Sequence, residues 1–304
     1  MERVEPAEQI PAGGVLPGTR WLLITFAVLT ALAVNQLLLF ADVADRYWAW
    51  TIHTEQSAAF VGAAYGAGLA LSLLSLRMTR WSQIRIPIVT VTVFTVLTTV
   101  STFVHMHRLH LESGGPVAQG AAWLWLAVYL LVPLACVVVV ARQESDRGPA
   151  EPVGRPMSGW LTRLLLIQGL VLFVAGVLLF LGGLSVHHHE ATTGLTSFWP
   201  WSLTPMSAMV IGAWLIAFGI AAGMAVGTGD LARLLVPSVT YTAFGVLELA
   251  AVIWHWPQVS SKDPWTWVYV SLLVVITATG AYGWRAAGQV RSGAGMRISV
   301  PSGR

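Results

Sequence analysis

The chain has 304 residues, of which 56% are hydrophobic and only 10% charged, and its formal net charge is +3. An average soluble domain carries about a quarter charged residues, so a water-soluble globule is excluded and lipid is the expected solvent. The basic residues stand singly at the ends of apolar runs, so nucleic acid is not an expected partner, and a lone cysteine, Cys136, excludes an intrachain disulfide.

About 20 apolar residues cross a hydrocarbon core about 30 Å thick, and segments close to that length recur along the chain. Behind a tail of residues 1–20, the first expected span runs from Trp21 to Ala41 and carries Asn35 and Gln36 in its last third. Arg20 ahead of it and Ala31-Leu32-Ala33 inside it resemble a secretory signal. The run has a counterpart later in the chain, so it reads as a retained helix. Next comes Ala58 to Leu76, with Gly62 and Gly66 one helical turn apart, and then Ile86 to Val104, which contains Thr98 and stops before His105. A joint bearing His105-Met106-His107 and His110 leads into the fourth span, Gly120 to Ala141.

Residues 142–158, with two prolines and mixed charge, read as a linker. Beyond it the spans are Trp160 to Leu184, Ser207 to Val226, Leu231 to Trp254 and Trp267 to Trp284, ahead of a tail of residues 285–304. Both tails, rich in Gly, Pro and Arg, read as disordered. Thr204 before Pro205 is a helix cap followed by a first-turn proline and fixes the start of the sixth span. Gly219, Gly223 and Gly227 give that span a small-residue face. The expected fold is thus all-α and polytopic, with eight transmembrane helices, and no joint has room for a soluble catalytic domain.

Fourteen of the seventeen basic residues fall in one set of joints, leaving only Arg46, Arg108 and Lys262 in the other. That asymmetry predicts a plasma-membrane protein with both termini cytoplasmic. All eight histidines lie in the opposite, outward joints.

Shifting the chain by 150 lays Ile86–His105 over Val236–His255 with eight coincidences, among them Pro87/Pro237, Thr90/Thr240, Phe94/Phe244 and His105/His255. Tyr47-Trp48-Ala49-Trp50 falls over Phe198-Trp199-Pro200-Trp201, and Trp123-Leu124-Trp125 over Trp265-Thr266-Trp267. The expectation is two four-helix repeats, residues 21–141 and 159–284, in parallel orientation about an axis along the membrane normal.

Glu248 is the one carboxylate inside an expected span, and a charged group there costs several kcal/mol unless it is paired, protonated or facing a wet cavity. His255 lies on the same helix face, nearly two turns on, and Thr98 and His105 hold the equivalent places in the first repeat. With Asn35 and Gln36 these form the candidate ligand or proton site. His105, His107 and His110, and His187, His188, His189 and Glu190, have the spacing of Zn or Cu ligands; solvated loops are the competing reading. The Trp-x-Trp pairs and Trp254/Trp256 read as an aromatic belt at the headgroup level.

Three functions fit. The leading one is a transport or ligand- or ion-binding protein with an outward-facing site between its halves. A non-catalytic scaffold or complex subunit, docking a protein partner or a second copy, is the alternative. Haem bound between His105 and His255 is a weaker third, for want of a second in-span histidine pair. No nucleophile with a base, phosphate loop or HExxH string stands out, so the sequence does not support an enzyme.

Overall fold

A computed structural model describes residues 12–149, 154–184 and 194–298. Among them there are no strands, only helices and three isolated bridges, and eight helices are long and apolar enough to cross a membrane. They are α1 (Pro17–Val34), α2 (Glu55–Ser75), α3 (Trp81–Val104), α4 (Pro116–Ser145), α5 (Gly159–Leu184), α6 (Pro205–Thr228), α7 (Leu235–Trp254) and α8 (Pro264–Ile298). Helices α1, α4 and α8 run beyond the apolar runs that mark them in the sequence. Polar residues end the lipid-crossing stretch but do not end the helix, because α-helix hydrogen bonds hold equally in the headgroup layer and in water.

The starts and stops have local causes. Thr54 and Thr204 cap α2 and α6 by accepting the backbone N–H of Ser57 and Ser207, and Pro17, Pro116 and Pro205 occupy first turns, where no N–H is needed. Gly229 ends α6 at φ +60°, a conformation that favours glycine. Helix α1 widens into a π-helical turn, Asn35–Leu39, packed on α2 so closely that a Cβ at Gly62 would stand 2.7 Å from the Leu37 carbonyl carbon.

Helices α2 and α6 are buried along most of their length, while α1, α4 and α5 bury one face and leave the other apolar and exposed, as helices lining lipid do. Helix α2 packs on α7 and α3 on α6, with α1, α4, α5 and α8 outside against α2, α3, α6 and α7 respectively. An aromatic column crosses the centre. Phe94 stacks on Trp214 at 3.8 Å, Trp214 leads to Phe218, Phe218 meets Phe244 at 4.7 Å, and Phe244 meets Phe60 at 5.9 Å. It separates the end carrying His53 and His105 (the histidine end) from the end carrying most arginines (the arginine end).

At the arginine end, the part of the N-terminal tail that is described is ordered, contrary to the compositional expectation. Fully buried Gln143 accepts from Leu16 N and Thr19 Oγ1, both at 2.9 Å, and donates to Gly14 O, fastening the segment to α4. One side chain with all its polar atoms matched outweighs a Gly/Pro-rich composition. Asp230 holds the linker by accepting from Gly154 N and Arg155 N.

Candidate functional site

At the histidine end two indoles cross between the first four spans and the last four. Trp50 Nε1 donates to Ser207 Oγ at 3.5 Å, and Trp201 Nε1 donates to Ser57 Oγ at 2.9 Å. Each serine sits in the first turn of a central helix beside its capping threonine. Between these contacts lies a cleft with two lobes, of about 180 and 280 Å³, which share His53 and Thr204. Its walls carry His53, His105, Arg108, Ser57, Ser202 and Ser207, and no acidic side chain among the described residues lines it. The start of α6 opens onto it through Thr204, Pro205 and Met206, so the positive end of a long helix faces the space.

Only part of the tryptophan set faces outward as an aromatic belt would. Trp48, Trp50, Trp199 and Trp201 are buried, whereas Trp123, Trp254, Trp265 and Trp267 are exposed. Loop geometry turns the first group inward. His110 N bonds Ala49 O, and the His110 ring bonds Trp48 O and Thr51 Oγ1, pinning the strand-like stretch of residues 48–51 against the end of α3. Trp48 and Trp50 then pack edge-on to Trp125, at 5.6 and 4.7 Å. Trp199 and Trp201 pack in the same way on Tyr269, at 5.4 and 5.5 Å. Tyr269, and not the Trp267 that the sequence pairs with Trp125, occupies this place.

Beneath this second aromatic group lies Glu248, fully buried. Tyr269 donates its hydroxyl to Oε2 at 3.1 Å, while Oε1 has no hydrogen-bond partner and no cationic side chain pairs with the carboxyl among the described residues. Thr98, at the equivalent level of α3, is also fully buried with its hydroxyl unpartnered. Sequence reasoning missed Gln56, whose side chain is fully buried near the start of α2 with neither amide atom bonded. A glutamine at a predicted helix end carries no signal of burial, because that depends on how the neighbouring helices close over it.

The candidate residues do not form one group. His105 is buried in the cleft wall, but His255 lies on its flank, with Nδ1 3.2 Å from Glu55 Oε2 and Gln258 completing the contact at 2.7 Å. Asn35 is exposed on α1's π turn, and Gln36 lines a separate groove with Trp48 and Trp125. Both lie away from Glu248, because the wide π turn rotates them off the face that meets α2.

Among the described residues no three His, Cys, Asp or Glu side chains converge on a point. His110 has both ring nitrogens engaged, which removes it from a ligand set with His105 and His107. His187, His188, His189 and Glu190 lie outside the described residues. The lobe beside His105, at about 180 Å³, is smaller than the roughly 300–1,000 Å³ of pockets that hold cofactors, and His255 is not in its lining.

No protein-family model, curated protein or solved structure matches this chain. Its function has to be argued from the geometry above.

Proposed function

We propose that this chain is a plasma-membrane transport or ligand-binding protein, with both termini cytoplasmic and its binding cleft open to the outside between two duplicated four-helix halves. The observation that carries the reading is the cleft at the histidine end. In a chain this apolar, two adjoining lobes walled by His53, His105, Arg108 and hydroxyl groups form a polar space suited to a small anion. Supporting the duplication are the crossed Trp50–Ser207 and Trp201–Ser57 contacts and the matched caps at Thr54 and Thr204. The orientation rests on the arginine asymmetry.

The cleft also has a physical link to the buried carboxyl. Ser57 lines the cleft and accepts from Trp201, the Trp201 ring packs on Tyr269, and Tyr269 bonds Glu248. A ligand that moves Ser57 or Trp201 therefore disturbs the one hydrogen bond Glu248 makes, and protonation or ion binding at Glu248 acts back on the cleft.

The test is the thermal shift of purified protein with phosphate, sulfate, chloride, acetate and succinate as probes. At least one should raise Tm in the wild type, and Arg108→Ala and His105→Ala should each abolish that rise while leaving the helical circular dichroism intact. Glu248→Gln should alter the size of the rise without removing it. If no anion stabilises the protein, or the alanine variants respond as the wild type does, the cleft is not an anion site and the scaffold reading takes its place.

A further inference from the structure

The two lobes of the cleft offer a ligand different chemistry. The lobe of about 180 Å³ carries Arg108 and His105, whereas the polar walls of the lobe of about 280 Å³, apart from His53, are hydroxyls. Thr54 and Ser57 reach it from the start of α2, and Thr204 and Ser207 from the start of α6. The first turns of the two central, most deeply buried helices therefore meet at one space. Each helix N-terminus is equivalent to about half an elementary charge, so the pair presents about one positive charge, enough to match one carboxylate.

The two caps also leave hydrogen-bond donors over. Thr54 Oγ1 and Ser57 Oγ are 2.6 Å apart and share one hydrogen bond, and Ser57 Oγ accepts from Trp201 Nε1 as well. Two hydroxyls bring two hydrogens, and their mutual bond uses only one. In the other pair Thr204 donates to Ser207 Oγ at 2.8 Å, and Ser207 Oγ accepts from Trp50 Nε1, so the Ser207 hydrogen remains. Neither pair bonds a further acceptor among the described residues. Deeper in a helix a hydroxyl hydrogen goes to the carbonyl four residues back, as Thr90 and Thr240 show, but a first-turn serine has no such carbonyl in its own helix. Ser57 and Ser207 are 2% and 1% exposed, and the lobe is the space that both border. A carboxylate only accepts, so it suits a site that combines spare donors with the positive ends of helices; an ammonium, which only donates, does not.

Building on the anion reading of the cleft and resting on it, we propose that the ligand is a small dicarboxylate. One carboxylate is held at Arg108 and His105, and the other lies between the first turns of α2 and α6, where each cap pair donates one hydroxyl hydrogen to it. The lobes adjoin through His53 and Thr204, so a short carbon chain spans them, and together they fall within the roughly 300–1,000 Å³ of pockets that hold small molecules. Trp50 and Trp201 gain a part in recognition, because each fills a serine lone pair and so turns its hydroxyl pair toward donating.

Titrations of the purified full-length protein, followed by Tm, compare succinate, acetate, monomethyl succinate and sulfate. Wild type should bind succinate about ten- to a hundredfold more tightly than acetate, the range that hydrogen bonds to a charged group set. Monomethyl succinate masks one charge at nearly the same size, and sulfate carries two charges on one centre, so both should stay near acetate. Ser57→Ala combined with Ser207→Ala should bring succinate down to the level of acetate and leave the acetate affinity unchanged, since acetate sits at Arg108. If acetate or sulfate binds but succinate is no tighter than monomethyl succinate or sulfate, the cleft takes a single anionic group, and the dicarboxylate assignment is overturned whether or not the serine variant folds. An unchanged succinate preference in the folded double variant overturns it too. If none of the four raises Tm, the anion reading of the cleft falls first, and this assignment with it.

Discussion

At Glu248, a carboxyl shut away from water is held by a single phenol. Glu248→Gln keeps the shape and leaves a carbonyl to accept from Tyr269, whereas Glu248→Leu strands the Tyr269 hydroxyl in apolar packing. We therefore expect the Gln variant to unfold close to wild type and the Leu variant to be about 1–3 kcal/mol less stable, the usual cost of an unsatisfied buried group, as measured by reversible denaturant unfolding in mixed micelles. Leu matching Gln would mean that Tyr269 has another acceptor. Glu248 was legible in the sequence as a carboxyl within a span, since it stands out against apolar neighbours. Its partner was not. Tyr269 lies two residues past the tryptophan that an alignment of the halves selects, and only burial separates Tyr269 from the exposed Trp267. Asn35 and Gln36 show the same limit from the other side. Their depth in the membrane was readable from position in the run, but their direction depends on a π turn that the residue pattern does not announce.

Among the elements, the eight helices were visible as apolar length, and their caps at Thr204 and Pro205 as residue chemistry. Which glycines matter was not, because a glycine's neighbours come from another helix. The four-residue spacing of Gly219, Gly223 and Gly227 suggests one continuous packing face, yet only the first is in contact. A Cβ at Gly219 would come 2.8 Å from the Gly169 carbonyl oxygen of α5, while Gly223 and Gly227 meet nothing within 4 Å. Gly219→Leu should thus separate α5 from α6 and lower Tm by several degrees, while Gly223→Leu should leave it nearly unchanged. Equal effects at both positions would place α5 differently. The crossed indole contacts allow a finer test. Trp201 reaches Ser57 at 2.9 Å but Trp50 reaches Ser207 only at 3.5 Å, the outer limit of a hydrogen bond. Double-mutant cycles of Trp201→Phe with Ser57→Ala, and of Trp50→Phe with Ser207→Ala, should give a coupling of about 0.5–1.5 kcal/mol in the first pair and a smaller one in the second.

For the whole molecule, the two ends differ in chemistry and the aromatic column from Phe94 to Phe60 keeps them apart. Orientation is the one global property that the fold leaves open, because an eight-helix bundle is equally well packed either way up; the arginine asymmetry supplies the expectation. Single cysteines at His53 and at Arg147 probe opposite ends. Both native side chains are exposed, and the Arg147 contact with Glu144 is a surface pair worth about 0–1 kcal/mol, so neither replacement should disturb the fold. The background is favourable, since Cys136 is fully buried between α3 and α4, with Thr95 Oγ1 3.9 Å from its sulfur, and should stay silent to a charged maleimide even before it is changed to alanine. In intact cells the impermeant reagent should label His53→Cys and spare Arg147→Cys until the membrane is opened. The reverse pattern would turn the cleft toward the cytoplasm. Labelling of both positions from one side would mean that an even number of spans separates them, against the three helices α2, α3 and α4 that lie between.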